Sequence, residues 1–72
     1  MTARLDTSGL ECPVPLLMAK RRLRTLGAGD TLVVVATDPD APVDFGAWAA
    51  VEGHGLSRRD RGDRIELTVV KG

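Results

Sequence analysis

Thr31-Leu32-Val33-Val34-Val35-Ala36-Thr37 reads as the central strand of a small mixed sheet. Five apolar residues in succession have strand length, and they lack the alternation of a strand with one wet face. Gly29-Asp30 turns the chain into this run, and Asp38-Pro39 stops it. Upstream, Pro13 to Leu26 predicts a helix. Leu16, Ala19, Leu23 and Leu26 recur at spacings of three and four and make one apolar stripe. Lys20, Arg21, Arg22 and Arg24 lie largely off that stripe, and Gly27 is the expected C-terminal cap. Arg4 to Thr7 is a short first strand, ended by Ser8-Gly9.

Downstream, a second helix is expected from about Asp40 or Pro42 to Glu52. Phe45, Trp48 and Ala49 share its buried face, and Gly46 weakens it by ~1 kcal/mol relative to alanine. Gly53-His54-Gly55 ends it. Leu56 to Asp60 is a polar strand, Arg61-Gly62-Asp63 a hairpin turn, and Arg64 to Lys71 a strand with Ile65, Leu67 and Val69 inward. The order β-α-β-α-β-β predicts a right-handed first crossover and an α/β fold. Its simplest form is a four-stranded mixed sheet with two helices on one face, residues 1–72 making a single domain. The other sheet face is then only partly covered.

Bulk composition narrows the function. Ten basic and ten acidic residues give zero formal net charge, so no overall field favours nucleic acid or an anionic membrane. Phe45 and Trp48 are the only aromatic residues, too few for base stacking. No apolar run approaches the ~20 residues of a membrane span, and Met1 to Asp6 lacks the apolar core of a signal peptide. A lone thiol fits a reducing, cytoplasmic setting.

That thiol is Cys12, in Gly9-Leu10-Glu11-Cys12-Pro13-Val14-Pro15. It has no partner for an internal disulfide and too few companions for a zinc site. With Cys12 as N-cap and Pro13 as first helical residue, both prolines fall where no N–H bond is lost. Val14 and Leu16 are then the free backbone donors able to point at the sulfur. The helix start favours thiolate, Glu11 opposes it, and a modest lowering of the thiol pKa is expected. No general base is evident, because His54, the only histidine, falls in the connection after the second helix. The bland alternatives are a passive buried cysteine and, for the arginine-rich segments, solvated faces. The functional alternative for Lys20, Arg21 and Arg24 is guidance of acidic partner surfaces.

Asp6 to Leu10, the Cys-Pro-x-Pro run, Lys20-Arg21, Gly29-Asp30, Ala36-Thr37-Asp38-Pro39 and Gly53-His54 with Leu56 resemble the TusA (SirA-like) sulfur-carrier family across nearly the whole chain. The resemblance implies a two-layer α/β sandwich. It implies that Cys12 carries sulfur as a persulfide, taken from a cysteine desulfurase or another sulfurtransferase and passed to an acceptor protein. Family destinations include 2-thiolation of the tRNA wobble uridine, molybdenum-cofactor synthesis and sulfur oxidation. Family members often have a proline where this chain has Gly46, and many have a further cysteine in the second helix, which this chain lacks. The expectation is therefore a one-cysteine sulfur carrier needing no metal or organic cofactor. In it, Pro13, Val14, Pro15 and Leu16 shape the sulfur's surroundings. The rivals are a non-catalytic regulatory or interaction module and an RNA-binding domain.

Overall fold

The computed structural model covers residues 1–72. Its elements are β1 (Thr2–Asp6), α1 (Val14–Leu23), β2 (Thr31–Ala36), α2 (Ala41–Glu52), β3 (Gly55–Asp60) and β4 (Ile65–Val70). They form one four-stranded sheet in the order β1-β2-β4-β3. The apolar run at β2 lies inside the sheet, parallel to β1 and antiparallel to β4, while β3 closes the other edge antiparallel to β4. The expected α/β architecture is the observed one.

Period-two geometry sorts the side chains. The register aligns Ala3 with Leu32, Leu32 with Val69, and Val34 with Leu67. These residues share one sheet face. Ala19, Leu23 and Leu26 of the first helical segment pack on it, as do Ala41, Phe45 and Trp48 of α2, in a single buried cluster. Both helices therefore cover the same face. Phe45 is fully enclosed, and its ring meets Trp48 edge-on at 5.9 Å between centroids.

The opposite face carries charge over part of its area. Arg4 on β1 and Glu66 on β4 flank β2 in register with Val33 and Val35. The guanidinium of Arg4 lies 3.5 Å from the Glu66 carboxylate, whose other oxygen takes Arg61 at 3.2 Å. This strap passes over the middle strand, and Val35 beneath it is buried. Burying an apolar residue under the stems of long charged side chains keeps the charges in water. The two arginines hold the Glu66 carboxyl below its ordinary pKa, Arg61 contributing most through its hydrogen bond.

The ends of β1 and α1 differ from expectation, whereas α2 runs as expected. β1 begins at Thr2, because Ala3 pairs with Leu32 and the Met1 carbonyl accepts the Thr31 N–H at 3.0 Å. α1 ends at Leu23, and its C-cap Arg24 is right-handed. Lys71 Nζ donates to the Leu23 and Leu26 carbonyls at 3.1 and 2.6 Å, so a lysine from the far end of the chain satisfies the helix terminus. Gly27 is consequently not a left-handed cap; that conformation falls to Gly29, φ 86°. The start of α1 also shifts: Pro13 is the N-cap and Val14 the first helical residue. At α2 the N-cap is Asp40, with Pro42 in the first turn and Gly53 (φ 75°) as the left-handed cap. No helix is long and apolar enough to cross a membrane.

Candidate functional site

The loops after β1 and β2 lie together at the carboxyl ends of the two parallel strands, where open α/β sheets commonly bind ligands. The β1–α1 loop is tied to the end of β2 and the segment after it at Thr7, Gly9 and Cys12. Thr7, fully buried, donates its hydroxyl to the Val35 carbonyl at 2.6 Å and its N–H to the same oxygen at 2.8 Å. Gly9 N–H donates to Thr37 Oγ1 at 2.9 Å. Cys12 N–H donates to Asp38 Oδ2, and the other oxygen of that carboxylate takes the Asp40 N–H at 2.9 Å. Asp38 thus clamps the cysteine loop to the loop that starts α2. The amide hydrogen bonds from Asp40 and Cys12 hold its carboxyl below the ordinary range.

Cys12 is half-buried. It borders an open cleft of about 470 Å³ formed by its own loop, from Gly9, and the Thr37–Asp40 segment. Exposed apolar side chains gather at the same end of the two helices: Leu10 in the loop, Val14 on α1 and Val43 on α2. The Cys12 thiol donates a hydrogen bond to Asp44 Oδ2 in the first turn of α2. This bond, burial, and the negative charges of Asp44, Asp38 and Asp40 push the Cys12 thiol up to about 11 from the usual 9.0. The expected lowering is therefore overturned. Partial positive charge at a helix end acts only over its first turn. Here it faces several whole negative charges and an acceptor that favours the protonated sulfur.

The prolines and their neighbours are placed differently from the sequence expectation. Val14 N–H donates to the Glu11 carbonyl at 2.9 Å, closing a turn that contains Cys12 and the cis Cys12–Pro13 peptide. This turn moves the helix start one residue on and removes Val14 as a donor to the sulfur. Leu16 N–H has no acceptor within the protein. The Leu16 side chain packs against the core, and Pro15 is fully buried.

Lys20 and Arg24 line a groove with Trp48 and Glu52, whereas Arg21 lines another beside Leu5 and Met18. His54 lies by Trp48, 5.2 Å between ring centroids, and accepts the Gly72 N–H at its Nδ1, outside the Cys12 cleft. Sequence reasoning missed Asp38 and Asp44. Their visible signals were an Asp-Pro strand stop and an acidic residue in a first helical turn.

A family model described as sulfurtransferase TusA matches residues 3–71. The sulfur carrier protein TusA of Allochromatium vinosum is 40% identical over 68 residues, covering 93% of this chain and 90% of that one. The sulfur carrier protein TusA of Pseudomonas entomophila is 43% identical over 54 residues, 75% of this chain and 68% of that one. The crystal structure of a SirA-like protein from Desulfitobacterium hafniense superposes with a TM-score of 0.87 at 28% identity, covering 97% of each chain.

Proposed function

The chain belongs to the sulfurtransferase TusA family, and on that premise we propose that it is a sulfur carrier whose cargo rides on Cys12 as a persulfide. One observation supports this most: the chain's only thiol sits at the mouth of an open cleft, on a loop fixed by backbone and carboxylate hydrogen bonds. A carrier needs one reachable sulfur in a defined place, and partners that bring the remaining chemistry.

The loading step is an exchange. Cys12 Sγ attacks the outer sulfur of a donor protein's persulfide, a new S–S bond forms, and the donor's S–S bond breaks. The donor cysteine leaves as thiolate and takes up the proton that Cys12 loses. Cys12–SH plus donor–S–SH becomes Cys12–S–SH plus donor–SH. Unloading repeats the exchange with an acceptor thiol. The donor is a cysteine desulfurase or another sulfurtransferase, and the exposed Leu10, Val14 and Val43 around the site offer apolar contact to either partner. Neither step uses a metal or an organic cofactor.

Mass spectrometry tests the reading. Incubation with a cysteine desulfurase and cysteine is expected to add about 32 Da, one sulfur atom, and Cys12→Ser is expected to abolish the adduct. If no Cys12-dependent adduct forms, the carrier reading fails and a non-catalytic interaction module takes its place.

A further inference from the structure

We infer that Asp44 is the residue that holds Cys12 in its thiol form in the free protein, so that the sulfur's reactivity is set by a carboxylate on α2. This rests on the reading above, in which Cys12 is the reacting sulfur.

The geometry carries the assignment. The Asp44 carboxylate is the hydrogen-bond acceptor for the Sγ–H, across 32 residues of sequence. A carboxylate in contact with a thiol rewards the protonated sulfur and repels the thiolate. The other charged groups around the sulfur act in the same direction. Glu11 adjoins it in its own loop, and Asp38 and Asp40 come from the loop between β2 and α2. From α1 the nearest cation in sequence is Lys20, which shares a groove with Leu16 and Asp44 yet makes no ion pair with it. Asp44 forms no salt bridge, and its one side-chain hydrogen bond is the one it accepts from Cys12. The free carrier meets stray electrophiles with a protonated sulfur, and thiolate appears in quantity only where that carboxylate's hold is lifted.

Alkylation by iodoacetamide reads the thiolate directly. The thiol lies at about 11 against the usual 9.0, so releasing it raises the thiolate fraction at pH 7.5 by at most roughly 100-fold. The lower basicity costs about tenfold in intrinsic nucleophilicity at a Brønsted slope of ~0.45. Asp44→Asn is therefore expected to alkylate up to about tenfold faster than wild type at pH 7.5, with its rate–pH inflection moved down from about 11. Asp44→Glu, which keeps the charge, is expected to stay within about threefold of wild type. An unmoved inflection in Asp44→Asn overturns the assignment. Should that variant fail to fold, the wild-type profile decides, because an inflection at or below the ordinary thiol value overturns it equally. The persulfide test separates the two readings. An unshifted profile with a Cys12 adduct removes the Asp44 role alone, and a shifted profile without an adduct removes the carrier role alone.

Discussion

Phe45→Leu measures how firmly α2 is anchored, and so how firmly the helix bearing Asp44 is placed. The Phe45 ring is fully buried among the strands and α1, and it meets the edge of Trp48 at an interplanar angle of 86°. Leucine keeps most of the apolar burial but leaves unfilled space, at a cost of about 1 kcal/mol. It also loses the aromatic pair, worth roughly another 1 kcal/mol. A chain of this length has a total stability of about 4–11 kcal/mol, so a loss of about 2 is substantial. At about 4–8 °C per kcal/mol for so small a domain, Tm is expected to fall by roughly 10 °C. Thermal unfolding followed by circular dichroism gives the shift, and urea unfolding should show a lower midpoint at an unchanged slope. Val51→Ala is the control on the same helix: Val51 is largely exposed, and its expected change is within about 0.5 kcal/mol. A Phe45→Leu Tm within about 3 °C of wild type, or a Val51→Ala loss as large as that of Phe45→Leu, would refute the anchoring argument.

Gly46→Ala and Gly53→Ala are expected to act in opposite directions, although neither added methyl meets an atom within 4 Å. The first should raise stability by about 0.5–1 kcal/mol through helix propensity. The second should lower it by about 1 kcal/mol, because φ at Gly53 is +75°; equal signs in denaturant melts would contradict this. Glu66→Gln should destabilise the protein at neutral pH. The folded-state pKa of Glu66 is depressed below 4.5, so its stabilisation is present above that value and is lost as pH falls through the folded pKa. Wild type and Glu66→Gln should therefore converge in acid unfolding midpoints, and a constant gap at all pH values would remove the strap from the account.

What could be read from the sequence was whatever depended on neighbours. The unbroken run Leu32–Ala36 announced an interior strand, and the spacing of Leu16, Ala19 and Leu23 announced a helix with one buried side. Alternation at Ile65, Leu67 and Val69 placed the last strand facing the helices, as observed. The end of α1 was misplaced because the group that satisfies its terminal carbonyls is the ammonium of Lys71, 48 residues from Leu23 and joined to it only by the fold. The thiol was misjudged for the same reason. Glu11 and the helix start are local and were weighed, whereas Asp38 and Asp44 reach Cys12 from 26 and 32 residues away. No periodicity encodes such a meeting. It exists only once β2 has placed both loops at one end of the sheet.

The hydrogen bond from Cys12 to Asp44 also makes this protein its own folding gauge. The unfolded chain has an ordinary thiol near 9.0, and the folded chain holds that proton to about 11. Labelling at Cys12 therefore accelerates whenever α2 leaves the sheet, even where the rest of the domain stays intact. A mass measurement against time, with the alkylating reagent as the only addition and no substitution, therefore reports on that helix once a sizeable share of molecules has released it.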